Sequence, residues 1–167
     1  MLEDHAKLIN FFNQAEEVVG RKRLQKMIYI MKKCDIDFSE RYSFHFYGPY
    51  SEELSTRIEE LCNLGFLDEE KEKEKGYYQY RYQLTDSGKD FLKDAEVDTP
   101  KLSPMITKMN EQSSKFLELV STMMYFDNFS KDEVEEKVLT VKSKQNFTDE
   151  DLTEAWKFID ELKKQTH

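Results

Sequence analysis

The chain is expected to be mainly α-helical with one small antiparallel sheet. Three observations carry this. Apolar residues recur at helical spacing through most of the 167 residues, as at Leu8, Phe12, Ala15 and Val19. The segment YYQYRYQL at 77–84 alternates instead, with Tyr78, Tyr80, Tyr82 and Leu84 on one face. Helix starts and stops punctuate the pattern: Gly20 and Gly65 as stops, and Ser51, Thr85, Ser103 and Ser130 as caps.

In order, the spacing predicts a first helix over 3–19, ended by Gly20, and a second over 22–33 with Leu24, Met27, Ile28 and Met31 inward. Lys32 and Lys33 suit the C-terminal end of its dipole. In YSFHFYGPYSEEL (42–54), Tyr42, Phe44 and Phe46 alternate with Ser43, His45 and Tyr47, which predicts a short strand with the first three inward. Gly48-Pro49 should end it, because proline lacks the N–H of a central ladder. Ser51 then caps a third helix, and Glu52 and Glu53 sit where a helix start favours negative charge. Leu54, Ile58 and Leu61 form its inward stripe, leaving Glu52, Glu59 and Asn63 outside.

Two strands follow, FLDEE and YYQYRYQL, joined by a charged loop KEKEKG, and Thr85 caps a short fourth helix. EVDTPKL (96–102) reads as a linker. Beyond it, Pro104 at the first helical position opens a long helix over 103–126, SKDE at 130–133 is a capping box, and Thr148 opens a last helix in which Trp156 fills the core beside Leu152 and Ile159.

Helix, helix, helix, two-stranded hairpin, helix is the order of a winged helix-turn-helix-like domain, here 1–96, with the hairpin as the wing. Residues 97–102 are a short linker. Residues 103–167 form a C-terminal helical appendage, packed on the first unit or forming a homodimer interface, because its apolar side chains are too many to leave in water. GRKRLQKMIYIM (20–31), FHFYGPYSEEL (44–54) and ELCNLGFLDE (60–69), in this order, resemble the bacterial YwgA-like family. They are more distantly similar to the Panacea antitoxin domain and to archaeal predicted winged-helix regulators. LTDSGKDFL resembles the strand-to-helix exit of many bacterial winged-helix regulators. The resemblance spans about residues 1–96. It implies a winged-helix fold and, through Panacea, an antitoxin-like or regulatory role.

Charge bears on partners. The net charge is −9, and 15 basic against 20 acidic residues precede Val97, so neither half is basic. The third helix sets four glutamates against Arg57, and phosphate contacts call for Lys or Arg. The second and third helices are also too far apart for an ordinary helix-turn-helix. Contacts with an unidentified protein partner are therefore favoured over nucleic acid. The candidate contact residues are Tyr47 and Tyr50, which flank the Gly-Pro turn, with Glu52, Glu53, Arg57 and Glu60 on the third helix. The alternative is a transcriptional regulator touching a DNA backbone through Arg21, Lys22, Arg23 and Lys26.

No catalytic, cofactor-binding or metal-binding residue is nominated. His5, His45 and His167 have no spacing that links them to a nucleophile or a metal cluster, and there is no glycine-rich phosphate loop. The reading is non-enzymatic, with no cofactor. Cys34 and Cys62 read as reduced thiols, no run suits a membrane-spanning helix, and the acidic amphipathic start is unlike a secretion signal, which together point to the cytoplasm.

Overall fold

The computed structural model describes residues 2–165. Helix α1 (Leu2–Ala15) buries Leu8, Phe11, Phe12 and Ala15. It ends earlier than its apolar spacing suggests. Glu16 takes a positive φ of 65°, and Glu17–Val19 becomes a strand, β1. The β-branched Val18 and Val19 suit a pleated, half-buried surface better than a helix interior. Val18 is buried opposite Tyr82.

Helix α2 (Arg21–Lys33) is the centre of the molecule. Every residue from Leu24 to Met31 is buried, so other elements cover it on all sides. After it the chain makes a small ribbon, β2 (Ser43–His45) paired with β3 (Gly48–Tyr50). This corrects the expected strand in two ways. Gly48-Pro49 continues the ladder instead of breaking it, because a two-stranded ribbon has free edges that tolerate a missing N–H. Phe46, expected inward by alternation, sits in the connecting turn with 91% of its surface exposed.

Helix α3 (Glu52–Asn63) starts at Ser51, whose Oγ accepts the Leu54 N–H at 3.0 Å. Leu54, Ile58 and Leu61 are buried while Glu52, Glu59 and Asn63 are exposed, as the spacing predicts. Strands β4 (Leu67–Glu74) and β5 (Tyr77–Leu84) form a long hairpin, and β1 adds to its other side in an antiparallel sheet of order β1-β5-β4. The loop expected over 71–76 shrinks to Lys75-Gly76, with Gly76 at φ 78°. The Lys/Glu alternation lies within β4, where Glu72 pairs with Arg81 across the ladder at 2.9 Å. Tyr82 is buried but Tyr78 is exposed, because this hairpin runs past the core. Helix α4 (Asp86–Asp94) is capped by Thr85 and packs against α1, and a Cβ at Gly88 would come within 2.4 Å of the Phe66 carbonyl just before β4.

The long helix expected over 103–126 is two helices, α5 (Ser103–Asn110) and α6 (Ser114–Tyr125). Ser113 makes the break by capping α6, its Oγ accepting the Phe116 N–H at 3.1 Å. Helix α7 (Lys131–Val141) carries the capping box read from SKDE, and α8 (Asp149–Lys164) starts after Thr148. Trp156 is half-buried and does not fill the core. Its indole N–H donates to Glu135 of α7 at 2.8 Å, so it staples α8 to α7 at the surface. One core cluster runs from Leu8 to Leu162, with α6 packed along α2. Among the described residues no helix is long and apolar enough to cross a membrane.

Because α6 covers α2, a chain ended after Asp98 should lose cooperative thermal unfolding or precipitate. It would uncover Met27, Ile30 and Met31, each worth about 1.5–3 kcal/mol of burial. An unchanged melting temperature in that truncated chain would refute the central role given to α2.

Candidate functional site

The site is built around the β2–β3 ribbon, and α2 fixes it from below. Gln25 is buried and its amide pairs with the Ser51 backbone on both sides. Oε1 accepts the Ser51 N–H at 2.9 Å, and Nε2 donates to the Ser51 carbonyl at 2.9 Å. The next residue, Lys26, is only 2% exposed, and its Nζ donates to the Pro49 carbonyl at 2.9 Å. From the far side, Lys142 at the end of α7 donates to the Phe46 carbonyl at 3.0 Å and is 6% exposed. Gly48 takes φ 96° between these ammonium groups. A Cβ there would lie 3.3 Å from both Lys26 Nζ and Thr122 Oγ1, so glycine is required for conformation and for space.

The side chains of the ribbon divide by face. Phe44 packs on Tyr125 and Phe126 of the α6 end, with ring centroids 5.1 and 5.6 Å away. Tyr47 and Tyr50 meet edge to face at 5.7 Å, and His45 lies 5.0 Å from Tyr50. The ammonium groups of Lys22 and Lys26 stand 4.6 and 5.4 Å from the Tyr47 ring. Phe46 projects alone from the tip. The outcome is a ribbon bonded along its backbone that presents one bare aromatic ring.

The six candidate contact residues fare differently. Tyr47 and Tyr50 are half-buried, and the Tyr50 hydroxyl bonds Ser55 at 2.9 Å. Glu52 is exposed. Glu53 is held by the Arg41 backbone N–H at 2.8 Å and its guanidinium at 3.0 Å, which lower its pKa. Arg57 is drawn inward to Glu40, Asp4 and Glu53, with Glu40 only 1% exposed. Glu60 lies 3.3 Å from His5 Nε2.

The basic run at the start of α2 is largely occupied. The Arg21 guanidinium lies 3.5 Å from the Tyr80 ring centroid and donates to the Tyr82 hydroxyl at 3.3 Å, which in turn donates to Glu69 at 2.7 Å. Arg23 donates to the Met109 and Gln112 carbonyls at 3.3 and 2.6 Å, closing the C-terminal end of α5. Lys26 serves the ribbon, and Lys22 is exposed. Sequence reasoning placed these cations on a surface. Their sharing of a helix with a buried apolar stripe was the signal that some would turn inward.

A cleft of about 520 Å³ lies between α2, α3 and the sheet, lined by Arg21, Gln25, Tyr50, Ser55, Cys62 and Tyr82 among others. Burial pushes the Cys62 thiol, and Cys34 elsewhere, up to about 11, so neither is activated as a nucleophile. His45 bonds Ser43 at 3.1 Å on the ribbon, and His167 lies outside the described residues. Among the described residues no group of three or more His, Cys, Asp or Glu side chains is placed to hold a metal ion.

Burial pulls the Lys26 ammonium down to about 8, opposed by Glu118 and reinforced by Lys142 and Lys22. Between pH 8 and about 10.4 the unfolded chain keeps a proton that the folded chain has released, so this group adds stability as pH rises. The two raised thiols act in the opposite sense above about pH 9, since there the folded chain keeps protons that the unfolded chain loses. Both remain in Lys26→Met. The stability of the wild type relative to this variant, measured by urea unfolding, should therefore grow as pH rises from 7 to 10, and a flat difference would refute the assignment. Gly48→Ala should cost about 1–3 kcal/mol by the same measurement, from backbone strain and the crowded ammonium.

No family model matches the chain. It is 57% identical over 163 residues to a Bacillus subtilis (strain 168) protein described as "Uncharacterized protein YwgA", a match that covers 98% of each.

Proposed function

The chain belongs to the YwgA family, and on that premise we propose that it is a non-enzymatic adaptor of winged-helix type that works through protein–protein contacts, with the β2–β3 ribbon as the docking element. The observation that carries this reading is Phe46, 91% exposed at the tip of a ribbon whose backbone two buried lysines fix. A large apolar side chain in water gains about 1.5–3 kcal/mol on burial, and a pre-fixed backbone reduces the ordering cost of binding. Aromatic anchors that enter a partner's pocket are the usual centres of binding energy. Tyr47 and Glu52 extend the contact on either side. The partner is a protein with an apolar pocket, and an antitoxin-like role is the form suggested by the likeness to Panacea.

The winged-helix part of the reading is supported by the order α1-β1-α2-β2-β3-α3-β4-β5-α4, in which the β2–β3 ribbon is inserted between the second and third helices, and by the placement of β5 between β1 and β4. The DNA-regulator alternative is disfavoured because Arg21, Arg23 and Lys26 are already bonded within the molecule, and the face of α3 away from the core carries Glu52, Glu59 and Glu60.

A photo-reactive phenylalanine analogue at position 46 should give one discrete protein adduct in the native cell. Purified partner should then bind Phe46→Ala at least about tenfold more weakly than wild type, the equivalent of about 1.4 kcal/mol, at an unchanged melting temperature. Equal affinity would defeat the docking assignment. Random duplex DNA should bind weakly, and nanomolar binding at about 150 mM salt with a steep salt slope would favour the regulator instead.

A further inference from the structure

A second cleft, of about 200 Å³, opens between the start of α2 and the start of α6. Lys22, Arg23, Lys26 and Lys115 line it, against one carboxylate, Glu118. We propose that this cleft binds the phosphate group of a small phosphomonoester. The site stands whether or not the ribbon docks a partner.

The argument is one of charge balance. Four cations share a small cavity in a chain whose net charge is −9. Lys142 adds a fifth positive charge close behind, 3.8 Å from Glu118. Among the described residues Glu118 is the only counter-charge lining the cleft, and it is already engaged, since Gln145 Nε2 donates to its Oε2 at 3.0 Å. The Lys26 ammonium lines the cavity while almost wholly removed from water, with the neutral Pro49 carbonyl as its bonded acceptor. A buried cation next to other cations is costly without an anion to offset it. Burial lowers the Lys26 pKa, Glu118 opposes that shift, and Lys142 and Lys22 add to it.

The remaining wall suits an oxyanion. Ser114, the first residue of α6, contributes a hydroxyl donor; the Ser113 cap takes the Phe116 amide, and the Ser114 and Lys115 amides precede it in the first turn, where a helix has no intrahelical acceptor. The ammonium groups of Lys22 on α2 and Lys115 on α6 would then face one another across the anion, with the Arg23 guanidinium adding positive charge while it stays on the Met109 and Gln112 carbonyls. A phosphate dianion, with two charges and several acceptor oxygens, matches this donor set better than a carboxylate with one charge. The volume leaves room for a small organic group on the phosphate and none for a duplex.

Inorganic phosphate is the probe. Added to the full-length protein at constant ionic strength against chloride, it should raise the melting temperature in a saturable way and give a defined affinity by calorimetry. Lys22→Gln and Lys115→Gln together should weaken that affinity at least about tenfold, because each removes a charge-assisted donor. Both side chains are exposed, so the variant should fold, and Lys89→Gln on the outer face of α4 is the control with wild-type affinity. No saturable stabilisation beyond chloride, or equal loss in the control, would overturn the site. Duplex DNA displacing phosphate at equal phosphate concentration would overturn the small-molecule assignment. Because the readout is phosphate affinity, it is separate from the Phe46 experiment.

Discussion

Two adjacent polar side chains inside α2, Gln25 and Lys26, hold the segment on which the rest of the site depends. Gln25 satisfies both backbone groups of Ser51, and Lys26 satisfies the Pro49 carbonyl. A buried amide or ammonium is stable only when bonded, so the two side chains make one position of the ribbon and of the α3 start far better than any other. A helix buried all round, as α2 is, gains its burial energy from apolar neighbours, but apolar contacts alone would let those neighbours slide. The polar pair sets the register.

The C-terminal helices complete the same construction. Arg23 closes the end of α5, α6 lies along α2, and Lys142 reaches back from α7 to the Phe46 carbonyl, 96 residues away in sequence. The ribbon is therefore gripped by one lysine from each side of the 97–102 linker. The segment after the linker is part of the device that fixes the ribbon, as well as a cover for α2. Gly48 is the consequence of this grip. The Lys26 ammonium and the Thr122 hydroxyl crowd the place where a side chain at this backbone would begin.

Much of the fold was legible because its signals are local. Ser51, Thr85, Ser130 and Thr148 each cap the helix they were expected to start, and Leu54, Ile58 and Leu61 are buried at their predicted spacing. The departures come where tertiary context outweighs a local pattern. Val18 and Val19 continue a helical stripe in sequence, yet β5 offers a strand partner, and Glu16 accepts a positive φ to allow it. The apolar run 103–126 gave no period break strong enough to reveal the cap at Ser113. Phe46 fits the alternation of the expected strand, but the turn comes two residues sooner, at Phe46 and not at Gly48.

The site was less legible, because sequence counts charges and the structure decides where they are used. Four glutamates against one arginine described α3 correctly as a sum. In the molecule Arg57 turns inward to the buried Glu40, and Glu53 is taken by Arg41, so the outward face is set by Glu52, Glu59 and Glu60 alone. The basic run at the start of α2 divides in the same way. Arg21 goes to the sheet, Arg23 to a helix end and Lys26 to the ribbon, leaving Lys22 outside. What read as an exposed basic patch is mostly a set of internal ties. Its one concentrated remnant of positive charge appears only when α6, ninety residues later, brings Lys115 across from it to close a cleft.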